Sequence, residues 1–253
     1  VSNGQRPQYN HIVVQVKRAS MALENSDIQT ALDIYAQLLG TAKQMGRSQL
    51  VAVLLNRMGH ALQLKGEIQD AVVAFESALR ALAQESSLNL QQVTRQLNRV
   101  SKGYTIQEPQ PLPDLYAASN AESLDADEND PVLAIKLLLH IGNAYLQQPQ
   151  ERPALNAYEQ ALNREAIQQT PLLHAYVLAN ISEIYRRQDN LDAAATHLSQ
   201  ALELFDQQPD PLEKRRAVAL SAGIARDRNQ PNQAIALYQQ AIDLYQQAND
   251  STG

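Results

Sequence analysis

Five alanines recur in step along this chain: Ala31, Ala71, Ala154, Ala194 and Ala234, separated by 40, 83, 40 and 40 residues. Other columns keep the same register. Four places after each alanine stands a large residue, Tyr35, Phe75, Tyr158, Leu198 or Tyr238. Three places further on come Leu38, Ala78, Ala161, Ala201 and Ala241, and twelve places before the alanines come Ala19, Gly59, Gly142, Ser182 and Ala222. Spacings of three and four put such residues on one face of a helix. Each unit therefore reads as two antiparallel helices whose small residues let the backbones approach closely. The large residues fill the groove that the next hairpin closes. A lone hairpin cannot bury its own apolar face, so units of this kind stack on their neighbours.

Composition agrees with helix. Alanine, leucine and glutamine, all good helix formers, are abundant, and only nine glycines interrupt 253 residues. Charged residues make up 19% with a net charge of −6, so the basic surplus of a nucleic-acid-binding surface is missing. Cysteine is absent, which excludes disulfides, thiolate metal sites and cysteine nucleophiles. The longest apolar stretches are pieces such as Val51–Leu55, too short for a membrane span. The sequence opens on Val1, so a leader or preceding segment is expected to have been removed. A cytoplasmic location is favoured, with an exported form left open.

The segment from Leu55 to Ala78 resembles the tetratricopeptide repeat. Leu55, Met58, Leu62 and Phe75 stand where that family has large residues, Gly59, Ala71 and Ala78 where it has small ones, and Gly66 lies at the turn. The resemblance implies an all-α, right-handed solenoid of antiparallel helical hairpins, with five clear repeats and one degenerate. The step of 40 exceeds the family's usual length of about 34. Six extra residues add about 9 Å of helix shared between the two arms, which changes the curvature.

Hairpins are expected at 11–46, 48–86, 131–166, 171–207 and 211–248, between tails at 1–10 and 249–253. The step of 83 hides a degenerate third hairpin over 87–130. There Leu90, Val93, Leu97 and Val100 keep helical spacing, a proline-rich loop runs from Glu108 to Pro113, and an acidic linker ends at Pro131. Pro171 and Pro211 open first helices, where a missing N–H costs nothing.

No constellation for catalysis is present. His11, His60, His140, His174 and His197 form no H-E-x-x-H pattern and no pair at four-residue spacing. No P-loop, dinucleotide fingerprint or nucleophile elbow occurs. Asp125, Asp127 and Glu128 lack the spacing and glycine of a calcium loop. The chain is read as non-catalytic, with no cofactor and no metal.

The resemblance further implies that first helices line a concave groove which binds a protein or peptide. The residues it places there include Asn56, His60, Lys136, Asn143, Tyr176, Asn180, Arg186, Arg216 and Arg226. Arg186, Arg216 and Arg226 belong to a basic cluster with Arg187, Lys214, Arg215 and Arg228, so an acidic ligand is expected at the C-terminal groove. Val13, Val16, Leu23 and Val53 give the N-terminal part an apolar character. Asn143, Asn180 and Arg216 partly match the carboxylate clamp of chaperone-binding members of the family, but Leu139 and Leu220 replace two of its polar groups. Chaperone-tail binding is therefore not expected. The leading expectation is a protein–protein interaction scaffold or adaptor binding a partner's peptide or helix, in the assembly of a larger complex. The alternatives are a regulatory sensor of a small signalling peptide, as in bacterial receptors with long repeats, and self-assembly through terminal hairpins. The glutamines of the last helix (Gln233, Gln239, Gln240, Gln246, Gln247) read as a polar cap, and a monomer is expected.

Overall fold

A computed structural model describes residues 6–83, 131–207 and 211–250. The expected degenerate hairpin and its linker, and the tails at 1–5 and 251–253, lie outside the described residues. Ten α-helices are found among them: α1 Arg6–Glu24, α2 Ile28–Gln44, α3 Ser48–Leu64, α4 Ile68–Leu82, α5 Pro131–Gln147, α6 Glu151–Leu162, α7 Pro171–Arg187, α8 Leu191–Gln207, α9 Pro211–Asp227 and α10 Pro231–Asp250. A short 3-10 turn, Glu165–Gln169, follows α6 and buries Ile167. The chain is all-α and hairpin-built, as the register requires. α1 starts at Arg6 rather than His11, and α6 stops at Leu162.

The chain divides into two compact units, Val1–Gln150 and Glu151–Gly253. In the first, α1 packs on α2, α2 on α3, α3 on α4 and α4 on α5. In the second, α6 packs on α7, α7 on α8, α8 on α9 and α9 on α10, and the first helices α7 and α9 also touch each other.

The sequence columns form the core. Ala31, Ala71, Ala154 and Ala194 are fully buried, and so are Phe75 and Tyr158, with Tyr35 and Leu198 nearly so. Gly59 shows why that column is small. A Cβ there would lie 2.4 Å from the ring of Phe75. In the Ser182 unit the small residue adds a bond, because its hydroxyl donates to the Ala194 carbonyl at 2.7 Å and ties α7 to α8.

The turns repeat as faithfully as the core. Ser26, Gly66, Asp189 and Asn229 each take a left-handed conformation between the arms of a hairpin, with φ of 60, 84, 59 and 58°. The following residue donates back five positions, as in Glu67 N–H to the Leu62 carbonyl and Gln230 N–H to the Ala225 carbonyl. This closes the helix end and aims the chain into the next arm. Asp27 caps α2 by accepting the Thr30 N–H at 3.2 Å, and Asn190 accepts the Ala193 N–H at 3.3 Å. α5, α7, α9 and α10 all open on proline.

Two expectations change. Val16 and Val53 are buried in the core, so they do not form an apolar groove lining. The last helix is no polar cap either, because Ile235, Tyr238, Ile242 and Tyr245 stand exposed along one side of α10. The glutamines do lie on α10, but they share it with a large-residue stripe.

Candidate functional site

The first helices carry the polar side chains, and they do so differently in the two units. In the first unit the residues of α3 and α5 gather around two histidines. His60 and His140 pack edge to face with ring centroids 4.3 Å apart, and the ring of Phe75 stands 5.2 Å from one and 5.3 Å from the other. The Asn56 side-chain oxygen lies 2.9 Å from Nδ1 of His140. An amide oxygen only accepts, so Nδ1 carries the proton and donates. Burial holds both imidazoles neutral. It lowers His60 to about 3, with the neighbouring Gln63 side chain opposing the effect and the Arg57 charge adding to it. It lowers His140 well below the ordinary value, helped by His60 and Lys136. At the edge of this cluster the Tyr145 hydroxyl donates to Glu76 at 3.1 Å.

Asn56 is thus a buried bonding partner of His140, while Lys136 and Asn143 on α5 keep part of their surface. The expected groove residues Asn56 and His60 are joined by two that the sequence reading missed, Arg57 and His140. Arg57 is buried and bonds with Tyr35, whose hydroxyl burial raises above its usual range. A signal for them was present. Arg57 and His140 occupy the same repeat position as Asn180.

In the second unit α7 and α9 lie side by side, and charged groups bridge them. Arg186 donates twice to Glu183 on its own helix, at 2.9 and 3.1 Å, and once to Asp227 at the end of α9, at 2.6 Å. Arg187 also donates to Glu183, at 2.8 Å. Asp227 further accepts from Arg226, at 2.8 and 3.0 Å. About three turns further back on α9, Arg216 donates to Asn180 on α7 at 3.1 Å and to Glu213 at 3.2 Å. Arg186 runs past Gly223, where an added Cβ would meet its Cδ and Nε at an ordinary contact distance of 3.9 Å.

The electrostatics follow from this sharing. Burial pushes Glu183 up, but the hydrogen bonds and charges of Arg186 and Arg187 outweigh it and hold the carboxyl below its usual range. Bonds from Arg226 and Arg186 hold Asp227 down as well. The Glu183 bond, reinforced by Asp227, raises Arg186 despite its partial burial. Four guanidinium groups, of Arg186, Arg187, Arg216 and Arg226, thus share three carboxylates, of Glu183, Asp227 and Glu213. One positive charge is left over. Arg216 and Arg226 are the most exposed of the three arginines expected in the groove, at 49% and 61% of their side-chain surface. Tyr176 is buried, its ring edge-on to Phe205 at 5.6 Å, and it supports the surface from beneath. Lys214 pairs with Asp206 and Arg228 with Asp192, both away from these bridges. Among the described residues no cluster of three or more metal-ligating side chains occurs, and no helix is long and apolar enough to cross a membrane.

Comparison with known proteins supports the repeat reading directly in the second unit. Residues 173–247 match the family model described as tetratricopeptide repeat. No curated protein sequence matches the chain. Several solved structures share its fold. The apo form of RapI superposes with a TM-score of 0.70 at 10% identity, covering 95% of this chain and 72% of that one. BtubC (BKLC) from P. vanneervenii gives 0.66 at 15% identity, covering 91% and 78%. MamA from Desulfovibrio magneticus RS-1, residues 41 to the end, gives 0.57 at 14% identity, covering 93% and 96%. At such identities the likeness speaks for the fold alone.

Proposed function

We propose that this chain, a tetratricopeptide-repeat protein whose family match spans residues 173–247, is a non-catalytic scaffold that holds a segment of a partner protein. The repeat fold supports a role in protein–protein interaction. The partner segment lies along α7 and α9, and it is acidic. One observation carries the second half of this reading: Arg216 and Arg226, about three turns apart on α9, are both exposed where cations outnumber the anions that hold them.

An incoming carboxylate exchanges with Asp227 at Arg226 and adds to Arg216 from its exposed side, while the buried Glu213 keeps its bond. Guanidinium groups take carboxylates in two parallel hydrogen bonds, which gives direction as well as attraction. Asn180 is buried on α7 and accepts from Arg216, which orients that guanidinium toward the surface. Arg186 is spent on the bridge between α7 and α9 and acts as a strut that keeps the two helices in register. Because Arg216 and Arg226 are exposed, each contributes little alone, and binding is weak to moderate and sensitive to salt.

The test uses a fluorescein-labelled decaglutamate peptide and measures anisotropy against the protein. Binding is expected to weaken as salt rises from about 50 to 300 mM. Arg216→Ala with Arg226→Ala is expected to weaken it by about tenfold and to flatten the salt dependence. Decalysine is the control and is expected not to bind. Equal affinity of the wild type and the double variant for decaglutamate discards this face as the site.

A further inference from the structure

Within this fold each second helix is covered by the first helix that follows it: α2 by α3, α4 by α5, α6 by α7 and α8 by α9. The large residue at the centre of that contact is Tyr35, Phe75, Tyr158 or Leu198, and none is more than 2% exposed. On α10 the same column holds Tyr238, at 38%. Ile235, Ile242 and Tyr245 extend it at helical spacing, at 67%, 49% and 57%. Tyr245 matches Phe205 of α8, which is fully buried.

The first described helix shows the complementary deficit. Val14 and Met21 on α1 are 62% and 61% exposed. In the other first helices the place of Val14 is taken by Leu54, Leu137, Val177 and Ala217, and that of Met21 by Ala61, Ala144, Ile184 and Ile224, all at most 3% exposed. So α10 presents the second-helix half of the contact that builds the fold, and α1 presents the first-helix half. Six of the seven large hydrophobic side chains that stand exposed among the described residues lie on these two helices.

We infer that α10 of one molecule packs on α1 of a second copy, continuing the repeat register from molecule to molecule. Charge favours this pairing over either helix meeting its own kind. α1 carries Lys17 and Arg18 against Glu24, whereas α10 carries Asp243 and no base. The contact joins two unlike faces, so it does not close on itself, and a molecule that gives one face still offers the other. The four residues on α10 supply on the order of 400 Å² of surface. With a similar share from α1 and its flanking side chains, the contact totals on the order of 800 Å², below the roughly 1,200 Å² of stable specific interfaces and in the range of weak, transient ones. Assembly is accordingly reversible, with a Kd on the order of 10–100 µM. Only the surface of each helix within its own unit enters this inference, and it stands apart from the α7–α9 face.

Sedimentation velocity on the 253-residue chain tests it, between about 5 and 500 µM. The weight-average mass is expected to climb from 28.0 kDa past twice that value without a plateau, and more steeply at low salt. Val14→Glu spoils one face and Ile242→Glu the other, so each variant alone is expected to remain monomeric. Both positions are exposed, and circular dichroism with a thermal melt checks that each variant folds like the wild type. Mixed together, the two variants retain one sound α10 and one sound α1 between them. The mixture is therefore expected to form a dimer and nothing larger. A wild-type mass that stays at 28.0 kDa across the range overturns the inference. So does a Val14→Glu protein that dimerises by itself, or a mixture that stays monomeric while the wild type assembles.

Discussion

Lowering the pH from 7.5 to 5.0 is expected to destabilise the first unit strongly, and the magnitude follows from its two enclosed imidazoles. His60 is lowered to about 3 and His140 well below its ordinary value, chiefly by burial. In the unfolded chain both titrate near the reference value of about 6.5. A histidine lowered on folding stabilises fully above its unfolded pKa, and that stabilisation is lost as the pH falls below it, because the unfolded state then binds the extra proton. At pH 5 His60 has lost about 2 kcal/mol, and His140 adds to the loss in the same direction. The groups facing the pair are Asn56, Arg57 and Gln63 from α3, Phe75 from α4 and Lys136 from α5. The two cations among them reinforce the effect. Asp70, which burial raises, works in the opposite direction and recovers a part of the loss. Urea unfolding at pH 7.5, 6.0 and 5.0 reads the effect as a midpoint shift of more than about 1 M, for a slope near 2 kcal/mol/M. His140→Gln keeps an amide toward Asn56 and removes one titration, so the dependence between pH 6 and 5 should shrink. An unchanged midpoint from pH 7.5 to 5.0, or the full dependence in His140→Gln, would refute the reasoning.

Three further substitutions probe the repeat itself. Gly59→Ala improves helix propensity by about 1 kcal/mol but drives a methyl into the enclosed ring of Phe75, so a net loss of about 1–2 kcal/mol is expected in chemical denaturation. Ser182→Ala removes the bond to the Ala194 carbonyl and is expected to cost about 1 kcal/mol, seen as a lower melting temperature. Gly66→Ala meets open space yet sits at φ 84°, so a loss of about 1 kcal/mol there reports backbone conformation alone.

Much of this fold was legible in the sequence because its contacts are local and repeated. Ala71, Phe75 and Gly59 are fixed against one another by one helix-to-helix distance, and the same distance recurs with each step. The pairing of the arginines was harder to see. Whether Arg186 reaches Asp227, forty-one residues away, depends on how α7 and α9 are rotated about their axes, which spacing alone does not specify. His140 shares its repeat position with Arg57 and with Asn180, yet the resemblance placed only Asn180 in the groove. On α10 the glutamines drew the eye to a cap, although Ile235, Tyr238, Ile242 and Tyr245 keep steps of three and four in the same helix. Polar residues on a terminal helix do not make it a cap. What matters is which residues occupy the column that a neighbour would cover.

The most direct measurement is a nitrogen–proton spectrum of the labelled protein titrated with decaglutamate. If side-by-side first helices form the binding face, the shifting signals include the Arg216 and Arg226 side chains and the exposed positions of α7 and α9, while α8 and α10 stay unmoved. Shifts confined to α8 or α10, or none at saturating peptide, would contradict it.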